Sequence, residues 1–237
     1  METTVSRRIT AEAIGTALLL AAIVGSGIMA ERLAGGNVAI ALLANALATG
    51  GALVAFILTF GPISGAHFNP VVTLVFAGRG DLPPRIAGAY VLAQIGGAVA
   101  GVWLAHIMFG LPIIQASSHV RASAGELAGE FVATFGLIGL ILSCSRHAAG
   151  AIPYAVAAYI TGAYWFTSST SFANPAVTFA RSLTNTFAGI QSGSVPGFIV
   201  AQLAGGLAAG LVFRWLLGEP GKAASSAGSC DVRFPAN

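Results

Sequence analysis

Few side chains in this chain have the type for chemistry, and those that do are set inside apolar stretches. Glu12 lies in AEAIGTALLL and Glu130 in GEFVATFGLI. Asn69-Pro70 opens NPVVTLVFA, and Asn174-Pro175 opens NPAVTFA. Gln94 and Gln202 lie in YVLAQIGGAVAG and FIVAQLAGGLAAG. The order glutamate, asparagine-proline, glutamine thus occurs twice, with 118 residues between the glutamates, 105 between the asparagines and 108 between the glutamines. Two carboxylates could serve as acid and base, but equivalent places in a repeat suit two matched roles better. Asn is a favoured helix N-cap and Pro is favoured at the first helical position, so each Asn-Pro announces a helix start. No nucleophile elbow, phosphate-binding loop or metal-spaced cluster accompanies them, so neither a cofactor nor a metal is expected.

The composition says what must hold these residues. Hydrophobic residues make up 56% of the 237, and charged ones 8%, outside the usual soluble range. The apolar residues gather in runs long enough, as helix, to cross a ~30 Å hydrocarbon core. Full spans are predicted at Ile9–Ala30, Val38–Phe60, Ile86–Phe109, Leu127–Ser145, Ile152–Ser169 and Pro196–Leu217. Two stubs, Asn69–Ala77 and Asn174–Ala180, reach about half that distance. The fold class is therefore an all-α membrane protein of six transmembrane helices and two half-helices. It forms one domain over 1–237, with repeat halves at about 9–110 and 125–217.

Three spans per half bring the second copy in from the opposite side, so the repeat is inverted. The Gly97-xxx-Gly101 and Gly206-xxx-Gly210 pairs are expected at equivalent helix-packing places. With the N-terminus inside, Arg7, Arg8, Arg79, Arg85, Arg146, Arg214, Lys222 and Arg233 are cytoplasmic, and only Arg32, Arg121 and Arg181 lie outside. This satisfies the positive-inside rule and puts both termini in the cytoplasm. The net charge of +3 says little by itself, because the basic residues sit singly in short loops rather than in a patch. No nucleic-acid partner is expected. Cys144 in a span and Cys230 in the tail are not expected to pair. Arg7-Arg8 before an apolar run has the look of an export signal; Glu12, and the need for a first repeat member, assign it to a span. The polar stretch from about 219 to 237 is expected to be a loose, flexible tail.

Irregular backbone at membrane depth is tolerated only where it is buried in protein or lines water. Two inverted stubs would meet near the midplane with their N-termini facing, each carrying unsatisfied N–H groups and about half a positive charge. With the Asn oxygen held as a cap, its amide NH₂ is left to donate to passing oxygens, while the dipole ends repel cations. A single Asn-Pro could equally be a kinked loop; two at matching places build a central station. Glu12 and Glu130 either relay protons or accept hydrogen bonds from the irregular backbone entering each stub. His67 either lines a vestibule beside Asn69 or is a packed, satisfied side chain. His106, His119 and His147 fall at span ends or in loops.

The six spans, the paired Asn-Pro stubs, the SGAHFNP lead-in and the Glu/Gln repeat resemble the aquaporin family of water and glycerol channels over about Ile9 to Leu217. The resemblance implies a right-handed bundle, homotetramers with a pore in each subunit, and a passive flow of small neutral solutes. The first motif, Asn69-Pro70-Val71, has Val where the family usually has Ala, which alters packing behind the cap. The second, Asn174-Pro175-Ala176, is intact, but Val177 stands where the family nearly always has arginine. That arginine belongs to a four-residue outer constriction. Ungapped spacing from the motifs places Thr49, Gly162 and Ser171 beside Val177, a set lacking an aromatic, a histidine or an arginine.

Losing the guanidinium removes a fixed cation and its fork of donors, which implies a wider filter. Arg181, one turn outward, either reaches back to restore that charge or snorkels at the outer interface. The combination is similar to a bacterial aquaglyceroporin branch associated with arsenic resistance. It suggests glycerol, water and neutral or methylated arsenicals as solutes, and residence in the bacterial inner membrane. The alternatives are a secondary transporter, which would need coupling ions or a midplane charge, and a membrane enzyme, which would need a third group beside the glutamates.

Overall fold

The computed structural model describes residues 3–218, all helix, turn and loop among those residues. Eight α-helices follow in order: α1 (Val5–Leu33), α2 (Val38–Ser64), α3 (Pro70–Gly78), α4 (Pro84–Phe109), α5 (Ala124–His147), α6 (Ile152–Phe166), α7 (Pro175–Arg181) and α8 (Val195–Leu217). Their ends carry the expected local signals. Asn37 caps α2 by accepting from the backbone N–H of Ala39 and Ile40. Ser123 and Glu126 form a reciprocal capping box at α5. Gly65 and Gly110 close α2 and α4 in the left-handed conformation. The tail from residue 219, with Lys222, Cys230 and Arg233, lies outside the described residues.

Five helices (α1, α2, α4, α5 and α8) are long and apolar enough to cross a membrane. The sixth differs from expectation. The run expected over Ile152–Ser169 leaves helical geometry at Phe166, because Thr167 is extended and Thr170 and Ser171 are left-handed. Ser and Thr bond their own backbone and favour turns over helix interiors. A 3₁₀ turn at Ala149–Ala151 precedes α6 and restores part of the missing length.

The two halves use the same contacts. α1 packs on α4 and α2, as α5 packs on α8 and α6, while α2 meets α6 between the halves. Each half-helix meets a long helix of both halves: α3 lies against α4 and α8, and so does α7. Small residues let the paired helices approach. A Cβ built on Gly97 would run into the carbonyl oxygen of Ala13, and one on Gly101 into that of Ala17. Gly205 stands in the same relation to the Phe131 carbonyl. The equivalence expected between Gly97/Gly101 and Gly206/Gly210 is therefore off by one residue. Aligning Gln94 with Gln202 pairs Gly97 with Gly205 and Gly101 with Ala209.

Because the obstacle is backbone, no rotamer change relieves it. Gly97→Ala and Gly205→Ala are each expected to cost about 3 kcal/mol through overpacking. Gly88→Ala, where a Cβ meets nothing within 4 Å, is expected to gain a few tenths of a kcal/mol from helix propensity. Thermal unfolding in detergent of the three variants checks the contrast.

Candidate functional site

Both half-helices begin as their sequences direct, and the two beginnings touch. Asn69 is extended, with its Oδ1 accepting from Val71 N at 2.9 Å, and Pro70 is the first helical residue. Asn174 is extended likewise, accepting from Ala176 N at 3.0 Å and Val177 N at 3.3 Å, and followed by Pro175. The amide of each then reaches the other tip. Asn69 Nδ2 donates to the carbonyl of Ala173, and Asn174 Nδ2 donates to that of Phe68, both at 2.7 Å. An amide nitrogen has two hydrogens, so this clasp uses one of each pair and leaves one. The sequence predicts both amides directed at a lumen; the structure spends one hydrogen of each on the cross-clasp.

The chain entering each tip is strained in matching places. Ala66 and Phe68 before α3, and Ser171 and Ala173 before α7, all have φ between 47° and 49°. Non-glycine residues there cost on the order of 1–2 kcal/mol each. The two buried carboxylates offset this. Glu12 accepts from the backbone N–H of His67 and Phe68, from Ser64 Oγ and from Gln94 Nε2, at 2.6–3.0 Å. Glu130 accepts from the N–H of Phe172 and Ala173 and from Gln202 Nε2, at 2.6–2.8 Å. Both are fully buried, and neither is on the cavity wall. Their geometry is that of brackets for irregular backbone, with charge-assisted bonds the strongest available.

A cavity of about 240 Å³ runs past both asparagines. One wall is the two lead-in segments. The other is apolar and repeated: Leu19 and Ile23 of α1 are matched by Leu137 and Ile141 of α5. His67 lies on this wall and also on that of a second cavity of about 670 Å³ lined by Arg8, Ser64 and Asp81. His67 is thus a packed side chain that also borders both cavities. Its ring packs on Phe76 and edge-on to Tyr90, and its Nδ1 pairs with Thr73 Oγ1 at 3.1 Å.

The opposite end of the cavity gathers Thr49, Tyr164, Ser171, Val177 and Arg181. Two expectations change here. Gly162 is exposed on α6 and does not line the cavity; the lining positions of α6 are Ile152, Val156, Ile160 and Tyr164, a strict i, i+4 row. α6 ends at Phe166 and the connection to Asn174 starts at the extended Thr167. The Tyr164 hydroxyl instead lies 3.2 Å from that of Thr49, so an aromatic is present.

Nor is this end without arginine, and Arg181 does not snorkel outward. It is 3% exposed, donates from Nε to the carbonyl of Ala188, and places its guanidinium carbon 3.4 Å from the centre of the Phe172 ring. Its lean toward the helix N-terminus, fixed by the 182–194 loop, brings the charge to the cavity that Val177 leaves apolar. Ser171 Oγ, on the same wall, has no hydrogen-bond partner among the described residues.

Arg121, which sequence reading treated only as an outside charge, belongs to this end as well. Its Nε donates to Gly189 O and its Nη1 to Ser169 O, and its guanidinium stands 5.3 Å from the Phe172 ring. Burial lowers its pKa from the ordinary arginine value, with Glu126 and Glu130 pulling the other way; at neutral pH it stays a cation. The Phe172 ring thus has two guanidinium groups within 5.3 Å of its centre. His106 ties together the loops that follow α4 and α7, through Ile113 O at 2.9 Å and Thr184 Oγ1 at 2.8 Å.

Comparison with known proteins agrees with this geometry. Residues 1–168 match the Major intrinsic protein family. The chain is 54% identical over 212 residues to Aquaglyceroporin AqpS of Rhizobium meliloti (strain 1021), covering 90% of this chain and 91% of that one. It is 30% identical over 231 residues to an Aquaporin Z of Bradyrhizobium diazoefficiens, covering 90% and 95%. The X-ray structure of the aquaglyceroporin from Plasmodium falciparum superposes with a TM-score of 0.70 over 90% of this chain and 97% of that one, at 19% identity, which speaks to the fold. The doubled Asn-Pro clasp, the long apolar helices and the sequence match over most of the chain place it in the major intrinsic protein family, as an integral membrane protein of the aquaglyceroporin type.

Proposed function

We propose that the chain is a passive channel for small neutral solutes, conducting glycerol and water and admitting neutral or methylated arsenicals. The observation that carries this reading is the pair of clasped asparagines on the wall of one cavity. Each retains a donor, and each stands at the positive end of a half-helix. At one end a solute meets hydrogen-bonding groups on Thr49, Tyr164, Ser171 and Arg181 beside the apolar surface of Val177 and Phe172. A molecule with hydroxyls on one side and carbon on the other suits such a wall. Val177 in place of a longer side chain widens the passage for solutes larger than water.

The channel is placed in a bacterial inner membrane, both termini cytoplasmic, as a homotetramer with lipid around it. No metal, cofactor or catalytic residue enters the reading. A secondary transporter needs a charge at the central station; here that station is two neutral amides.

The test is swelling of proteoliposomes across a size series of neutral solutes, with arsenite and methylated arsenicals included. Flux is expected to rise linearly with concentration and to ignore proton and sodium gradients. Val177→Arg is expected to cut glycerol and arsenical flux by about tenfold while sparing water, since one extra side chain obstructs by size. Saturating, gradient-driven flux would overturn the reading.

A further inference from the structure

We propose that Gly206 is a positioning residue for the central station, seating α3 through Val71. A Cβ built on Gly206 would overlap Val71 Cγ1, with Ile138 Cγ1 next to it at 3.8 Å. Val71 is 2% exposed, and its N–H is the one that holds the Asn69 cap. The methyl group therefore fills a notch in α8 that exists only because residue 206 has no side chain. A β-branched side chain in a helix has one strongly preferred rotamer, so Val71 cannot turn the methyl elsewhere at little cost.

The other half shows the alternative solution. Ala176 holds the place of Val71, and Ala98 that of Gly206, both fully buried. There the half-helix α7 meets α4 as α3 meets α8. Bulk taken from the long helix has been given to the half-helix in one copy, while the other copy divides it evenly. What sits in the notch decides how far α3 stands from α8. That distance sets Asn69, and through the bond from Asn69 Nδ2 to Ala173 O it also sets the tip of α7. The departure from alanine at position 71 is thus half of a compensated pair.

The inference rests on the channel reading, and its test separates the two. Wild type, Gly206→Ala, Val71→Ala and the double variant are reconstituted in proteoliposomes. Glycerol permeability per reconstituted protein, the glycerol-to-water ratio and proton leak are then measured. Gly206→Ala is expected to lower glycerol permeability by about tenfold, because displacement of a positioned group on the order of 1 Å has effects of that size or greater.

The double variant, which recreates the Ala/Ala arrangement of the other half, is expected to return to within about twofold of wild type, as coupled neighbours do. Val71→Ala alone, which removes bulk and adds no clash, is expected to shift the glycerol-to-water ratio. If Gly206→Ala does not fold, recovery of folded yield in the double variant carries the same weight. A double variant as impaired as Gly206→Ala, or a Gly206→Ala channel equal to wild type, overturns the proposal. A wild type that passes no solute overturns the channel reading instead.

Discussion

Glu12→Ala should abolish the folded channel. Four donors lose their acceptor at once: Ser64 Oγ, the backbone N–H of His67 and of Phe68, and Gln94 Nε2. A buried donor left unsatisfied costs about 1–3 kcal/mol. Removing the carboxylate also removes its own desolvation cost, which leaves a net loss on the order of 5 kcal/mol and the left-handed Ala66 and Phe68 without support. Glu130→Ala strands three donors instead of four and is expected to lose about 1–2 kcal/mol less. Glutamine at either place keeps one acceptor oxygen and should fall between.

Melting in detergent, followed by the surviving monodisperse fraction, gives the order wild type, Glu→Gln, Glu130→Ala, Glu12→Ala. A proton relay predicts a different pattern, in which the glutamine variants melt like wild type and only proton movement changes.

The second large effect belongs to Arg181. Its guanidinium is buried at one end of the cavity, stacked on Phe172 and anchored to the Ala188 carbonyl. A fixed charge in so little water repels a passing cation by about 4 kcal/mol at 4 Å, taking an effective dielectric of 20. Arg181→Ala is expected to raise sodium and potassium leak at least tenfold (about 1.4 kcal/mol of barrier) while glycerol still passes. Arg181→Lys keeps the charge and loses the planar stack, and should recover most of the exclusion but less of the solute selectivity. Cation flux through patched or ion-loaded liposomes measures both. An alanine variant as tight as wild type would assign exclusion wholly to the half-helix tips.

What the sequence made legible was local, and what it hid depended on loops. Asn-Pro is a complete instruction within a few residues, so both half-helices and their caps can be read directly. The glutamates and glutamines are conspicuous because polar groups are so rare in their surroundings. Tyr164 is not reached by spacing from Asn174, because residues 167–173 are irregular backbone with no helical period to carry a register. The i, i+4 row from Ile152 would have found it. Arg181 was ambiguous between lumen and interface because the carbonyl that fixes its direction, Ala188, lies in a loop with no helical period. Arg121 and Phe172 meet only through tertiary packing of two such loops. The glycine register slipped by one residue because GGAVAG and GGLAAG each offer two small residues in a row, and only the facing carbonyl tells which is used.

The paired glutamates have one more effect. By accepting the N–H groups of His67, Phe68, Phe172 and Ala173, they leave the carbonyl oxygens of those peptides as the backbone groups still able to bond. His67 to Asn69 and Phe172 to Asn174 border the cavity together with the aliphatic side chains of Leu19, Ile23, Leu137 and Ile141, so a passing molecule meets polar groups and hydrocarbon in one passage. Molecules able to donate hydrogen bonds from one flank, and content to rub hydrocarbon with the other, shed their hydration at small expense. Bare ions, wanting ligands all round, find half a shell.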